Sequence, residues 1–164
     1  MRKVICVVLS SLLILSFVFF AIGSGSSGKT KDQGSGSATG SADSALGDCE
    51  VEIKSCRFAK DYEGKKVAIV TYTFTNRSDT AQAFFTAVSD AVYQDGVGLN
   101  KAYFLDDSAN YSEDNQTKAI KKDSSIDVEV AYVLNDSDTD LEVEVKEWIS
   151  LNDDKITKTF KIAQ

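Results

Sequence analysis

Four carboxylates near the C-terminus come closest to a chemical motif. Asp136, Asp138 and Asp140 alternate through a polar break, and Glu147 stands at the twelfth position counted from Asp136. This is the ligand spacing of an EF-hand calcium loop, which also needs a glycine at its sixth position to make the sharp turn. Leu141 stands there instead. From Leu141 to Glu147 apolar and polar residues alternate as in a strand. At about 3.3 Å per residue Glu147 then lies roughly 20 Å from Asp140, far outside a coordination sphere of about 2.3–2.6 Å. A weak cation site made from the three loop aspartates is what remains of the calcium reading, and an acidic solvated turn is the simpler one. The pairs Asp106-Asp107 and Glu113-Asp114 read as polar loop.

Catalysis is hard to assemble from the remaining side chains. The chain has no histidine, which removes Ser-His and Cys-His nucleophiles, an imidazole base near neutral pH, and the usual zinc sites. The route left open is a hydrolase with two carboxylates across a cleft. Ser26-Ser27-Gly28-Lys29 has the S-x-x-K spacing of serine acylases, but it lies in a Gly/Ser-rich stretch that offers a nucleophile no fixed geometry. Cys49 and Cys56 are the cysteines outside the N-terminal region. An even count in an oxidising compartment invites a bridge. Seven residues along a regular strand, however, set them about 23 Å apart on opposite faces, whereas a disulfide needs Cα atoms within roughly 7 Å. They pair only if the strand folds back or bulges sharply; otherwise they are free or intermolecular thiols.

Single residues suited to recognition are few. Trp148 has the parity of Glu142, Glu144 and Lys146, which places its indole on a polar face as a platform for a glycan or partner. A bulge or strand end that turns it inward is the commoner outcome. Tyr62, Tyr93, Tyr103 and Tyr111 stand near expected turns and read either as a surface aromatic patch or as half-buried packing. The sequons at Asn76, Asn110, Asn115 and Asn135 coincide with turns that favour asparagine in any case.

The elements that must position these residues are strands. Ile126, Val128, Val130, Tyr132 and Leu134 alternate with Asp127, Glu129, Ala131 and Val133, and Leu141, Val143 and Val145 alternate with Glu142, Glu144 and Lys146. With turn formers Asn135 to Asp140 between them, the two runs read as a hairpin with a longer loop. Further strands are expected at Glu50 to Ala59, Lys66 to Asn76, Ala91 to Gln94, Val97 to Tyr103, Thr117 to Lys122 and Ile156 to Ile162. Turns are expected at Asp61-Tyr62-Glu63-Gly64 and Asp95-Gly96. Thr80 to Ser89 fits either a helical turn or an irregular strand. Seven or eight short strands predict an all-β antiparallel sandwich.

The N-terminal part is of another kind. After Met1-Arg2-Lys3, Val4 to Ile22 is an uncharged apolar run of 19 residues, long enough to span a bilayer as a helix with its basic end in the cytoplasm. Ala21-Ile22-Gly23 also carries the small residues a signal peptidase accepts before Ser24. Residues 1–23 are thus a signal peptide or an anchor. Residues 24–47 are a Gly/Ser-rich disordered linker, too poor in apolar side chains to offset the entropy of ordering, with a reach of roughly 25–30 Å. Residues 48–164 are one domain. From Asp48 onward 14 Lys and Arg face 23 Asp and Glu, a net charge of −9, which repels nucleic acid and anionic lipid.

The runs DYEGKKVAIVTYTFTNRSD (Asp61 to Asp79), YQDGVGL (Tyr93 to Leu99) and SIDVEVAYVL (Ser125 to Leu134) resemble an exported Gram-positive family called domain of unknown function 5067. Its members are similar to secreted immunoglobulin-like sandwiches that include a mycobacterial immunoprotective antigen. The resemblance implies an immunoglobulin-like fold and an exported address, and no activity. Two departures stand out. The cysteine that would carry a lipid is absent, since Gly23-Ser24 follows the apolar core and Cys6 is too early. A turn often built with Pro-Gly is Lys121-Lys122-Asp123 here.

The expectation is therefore a monomeric, non-enzymatic surface or binding module. It is tethered outside the membrane by its N-terminal segment, or secreted if that segment is cut, and it needs no cofactor, metal or catalytic residue. Its partner is an unidentified protein or glycan met by end loops such as Lys101 to Asn115 and by sheet edges. The alternatives are a small carboxylate-dependent cell-wall hydrolase and a weak calcium-dependent module.

Overall fold

The computed structural model describes residues 45–150 and 153–162. The apolar segment with Cys6, the S-x-x-K run and nearly all of the expected linker lie outside the described residues. Eight strands form two antiparallel sheets. They are β1 (Ala45–Leu46), β2 (Cys49–Lys60), β3 (Lys66–Asn76), β4 (Val88–Gln94), β5 (Val97–Gly98), β6 (Ser125–Val133), β7 (Leu141–Glu147) and β8 (Lys155–Phe160), with a short helix α1 (Phe84–Ala87) ahead of β4. One sheet has the order β1-β2-β3-β6 and the other β5-β4-β7-β8. This is an immunoglobulin-like sandwich, as expected. β1 draws on Ala45 and Leu46, two residues of the stretch read as linker, and Leu46 is buried.

The core follows from strand parity. Val51, Ile53, Val70, Tyr72, Phe74, Val128 and Val130 from one sheet meet Val88, Val92, Leu141, Val143 and Val145 from the other. In β2 the register slips between Ile53 and Ser55, with Lys54 as the extra residue. Such a bulge lets two residues oppose one and reverses parity beyond it, so Cys56 packs against the core face that Cys49, Val51 and Ile53 already occupy. The Lys158 ammonium from β8 donates to the bulged carbonyls of Ile53 (2.6 Å) and Lys54 (3.0 Å), joining the two sheets along that side.

β3 is buried on both faces. Val67 and Ile69 point away from the main core and form a second cluster with Ala102, Ala109 and Ala131. The cover is the long connection between β5 and β6, which crosses the outer face of the first sheet. It also closes the open edge of β6. Ala102 N–H donates to Ala131 O, Asn100 O accepts from Val133 N–H, and the amides of Asn115 and Gln116 donate to the carbonyls of Asp127 (2.8 Å) and Glu129 (2.7 Å). Unpaired edge strands template aggregation, and this connection removes one.

Four expectations change. β6 and β7 are not a hairpin, because they lie in different sheets and Asn135 to Asp140 carries the chain across the sandwich. Their apolar faces look at each other across the core instead of lying side by side. The run Val97 to Tyr103 yields only β5 and a bridge from Lys101 to Tyr132, and Thr117 to Lys122 yields only a bridge from Ile120 to Gln82. β4 starts at Val88, and Thr80 to Ser89 contains α1. The expected turns are present. Asp95 and Gly96 both have positive φ (48° and 75°), as a two-residue turn matching strand twist requires. At Lys121 to Ser124 the Ser124 N–H donates to Lys121 O, with Asp123 at φ 60° in the position where glycine is easiest.

Candidate functional site

The end of the sandwich where β2 turns into β3 holds a groove of about 620 Å³. The turn makes it. The buried Asp61 side chain accepts from the N–H groups of Glu63 (2.9 Å) and Lys65 (2.8 Å), Gly64 takes φ +81°, and Asp61 N–H closes on Lys65 O at 2.9 Å. A turn fixed from inside by its first residue throws the next one outward, and Tyr62 is 69% exposed. Its ring meets Phe104, 74% exposed, edge to face at 6.4 Å and 87°. Phe104 is held there because Leu105 bridges to Asp61 and Asp106 N–H donates to Lys60 O. Two exposed aromatic rings at right angles form an open corner beside the groove, which Phe58, Lys60, Lys66, Leu134 and Ile162 line.

The loop wall is anchored by Arg57. Its guanidinium spans both carboxylate oxygens of Glu129 at 3.1 Å and donates to the carbonyls of Ala109 (2.6 Å) and Asn110 (3.0 Å). Asp106 accepts from Ser108 N–H at 2.8 Å, and hydrogen bonding to Ser108 holds its carboxyl below the usual carboxylate range. Of the two carboxylates lining the groove, Asp61 is tied to the turn and Asp106 is biased toward its ionised form.

A polar chain sits in the core between the sheets. Tyr132 donates to Asp90, the Tyr72 and Tyr132 hydroxyls are 3.3 Å apart, and the Lys101 ammonium lies 2.8 Å from the other Asp90 oxygen. Asp90 is 5% exposed. Burial pushes both phenols well above their usual range, so they stay neutral donors. Every member is used, which marks the chain as a structural clamp.

The other singled-out residues scatter. Asp136 caps its own loop, accepting from Asp138 N–H (2.8 Å) and Thr139 N–H (2.7 Å). Asp140 pairs with Lys161, and Glu147 lies at the opposite end beside Gly47 and Cys49. Among the described residues no group of three or more carboxylate or cysteine side chains is arranged to hold a metal. Asn76 is fully buried, and its amide nitrogen donates to Thr80 O (2.7 Å) and Ile120 O (2.9 Å), so its sequon cannot carry a glycan. Tyr93 and Tyr111 are half-buried, while Tyr103 is 66% exposed. Trp148 does not turn inward. It keeps the parity of the polar face at the end of β7, fastened by its N–H to Ala87 O, and is 58% exposed.

Both cysteines are free thiols, because they lie along one strand. Burial raises Cys49 to about 11 and Cys56 to about 12, and Cys49 donates to Leu46 O at 3.2 Å. Since the thiolate is the reactive form, in a Cys6→Ser background both are expected to react with a disulfide reagent at pH 8 at least about 100-fold more slowly in native than in denatured protein. Fast native reaction, or a mass two hydrogens short, would refute this.

The reading from sequence flagged Tyr62 and the loop from Lys101 but did not single out Phe58, Phe104, Lys60 or Lys66. Tyr103-Phe104-Leu105, an apolar triplet just ahead of Asp106-Asp107 in a non-periodic stretch, was the available signal.

A family model described as Domain of unknown function (DUF5067) matches residues 24–147. Among solved structures, the fold is similar to a candidate lipoprotein from Staphylococcus aureus subsp. aureus NCTC 8325, with a TM-score of 0.57 and 19% identity, covering 78% of this chain and 94% of that one. No curated protein matches the chain.

Proposed function

The chain belongs to the DUF5067 family, and from that premise we propose that it is an exported, non-enzymatic binding module that meets its partner with the Tyr62–Phe104 corner. The observation that carries this reading is the corner itself. Large exposed aromatic side chains are costly to leave in water and mark interaction sites when they cluster. An exported address is supported by the apolar N-terminal run and by the description of the similar staphylococcal chain as a candidate lipoprotein. The groove's own chemistry supports a binding role. A glycosidase acid needs a raised carboxyl pKa, and Asp106 is shifted the other way.

The test is binding of labelled full chain to isolated Gram-positive envelopes, with a Tyr62→Ser, Phe104→Ser variant. The variant is expected to bind at least about 10-fold more weakly with little change in melting temperature, since both rings are exposed. Undiminished binding by the variant would sink the proposal. Address is tested separately by expressing an Ala21→Leu, Gly23→Leu variant and comparing membrane and medium with the unaltered chain. Product starting near Ser24 in the medium, abolished by the variant, means release; full-size membrane-bound protein in both means an anchor.

A further inference from the structure

The last rung of the β2–β3 ladder pairs Lys60 directly with Lys66. Both side chains are exposed and line the groove. Directly opposed residues of an antiparallel pair share one face with Cβ atoms about 5 Å apart, where like charges repel. Among the described residues neither ammonium has an ion-pair partner, although Lys65 next door bridges to Glu63. The groove's other charges are committed: Arg57 to Glu129, Asp61 to Glu63 N–H and Lys65 N–H, and Asp106 to Ser108 N–H. In a chain whose net charge is −7, two opposed and unneutralised cations beside exposed rings call for an anion between them.

The same surroundings narrow what carries the anion. Strand addition by a peptide needs free backbone N–H and C=O groups. Here the N–H groups of Asp61, Glu63, Gly64 and Lys65 are paired within the turn, Lys60 O accepts from Asp106 N–H, and Lys66 O accepts from Leu134 N–H. Recognition is left to ring faces and ammonium groups. Ring faces pack against the C–H surface of a sugar or polyol, and ammonium groups take its carboxylates or phosphates. We infer that the groove binds an anionic glycopolymer, with Lys60 and Lys66 clasping one acidic group and the Tyr62–Phe104 corner seating the adjoining sugar or polyol unit. This rests on the proposed binding role of that corner and goes further by naming the ligand chemistry.

The test is affinity electrophoresis of the full chain in detergent through gels holding polygalacturonate, poly(glycerol phosphate), neutral dextran or poly-L-glutamate. Retardation by one or both of the first two, and not by dextran, is expected, and which one retards the protein tells carboxylate from phosphate. A Lys60→Gln, Lys66→Gln variant is expected to lose at least about 10-fold in affinity, and the wild-type interaction to weaken with salt. Its melting temperature should hold or rise by a few degrees, roughly the scale of a small stability gain in a domain this size, because a repulsion has been removed. Equal retardation by poly-L-glutamate, no retardation by either polyanionic glycopolymer, or retardation that the lysine variant keeps, would each overturn the inference. Envelope binding that depends on Tyr62 and Phe104 while both glycopolymers fail would leave the proposed function standing and discard this ligand.

Discussion

Replacing Asp90 with alanine is expected to lower the stability of the domain by about 3–5 kcal/mol, the scale of breaking one side of a buried ion pair. The carboxylate is 5% exposed and stands between the Lys101 ammonium and the Tyr132 hydroxyl. Its removal leaves a half-buried cation unmatched and a buried phenol with only Tyr72 to bond. Asp90→Asn keeps an acceptor for Tyr132 but loses the charge, and should fall between wild type and alanine. The quadruple change Tyr72→Phe, Asp90→Leu, Lys101→Met, Tyr132→Phe removes the whole chain of partners together and should recover most of the loss, since apolar replacement of a complete buried network is close to neutral. Denaturant melts followed by circular dichroism give the comparison. A loss under about 1 kcal/mol for the alanine variant would place Asp90 among ordinary surface residues and refute the clamp.

This clamp was invisible in the sequence for a physical reason that applies across the fold. Alternation reports which face of a strand is buried, not which strand lies beside it. β3 was legible to the residue and β2, β6, β7 and β8 to within two or so, because each has an apolar face. The pairing of β6 with β7 was misread because two half-buried strands joined by a polar loop look alike whether they share a sheet or face across a core. Two-sided burial of β3 did leave a trace. Val67-Ala68-Ile69-Val70 is a continuous apolar run, the mark of a strand covered on both faces, whereas the cover itself, from Leu99 to Ser124, was read partly as strands that the structure reduces to single bridges. The candidate groove was half legible for the same reason. Tyr62 follows from its turn, whereas Phe104 arrives through that connection, and the lysine pair appears only once the β2–β3 register is known.

The misread loop also yields the second large effect. Gln94, 2% exposed at the end of β4, holds the crossover that sequence reading took for a hairpin. Its carbonyl oxygen accepts from Asn135 N–H at 2.8 Å and its amide nitrogen donates to Thr139 O at 2.9 Å. One buried amide thus binds both sides of the loop and ties β4 of one sheet to the exit of β6 in the other. Gln94→Met keeps the volume and removes both hydrogen bonds to the loop, whose Asn135 is exposed and Thr139 half-buried, so it is expected to cost about 1–3 kcal/mol, at roughly 0.5–1.5 for each bond lost. Gln94→Glu adds a sign that packing alone cannot mimic. An ionised carboxylate still accepts from Asn135 N–H but faces Thr139 O without a proton, so the folded state favours the protonated acid and raises its pKa above the ordinary value near 4.3. A raised folded-state pKa gives stability that is present below the unfolded value and is lost as pH rises through the folded one. The Glu variant should therefore approach wild type near pH 4 and fall behind it at pH 7, while the Met variant trails by a constant margin. If the Glu and Met variants keep the same pH dependence, Gln94 is filling space and the two sheets are held together at this end by their apolar faces alone.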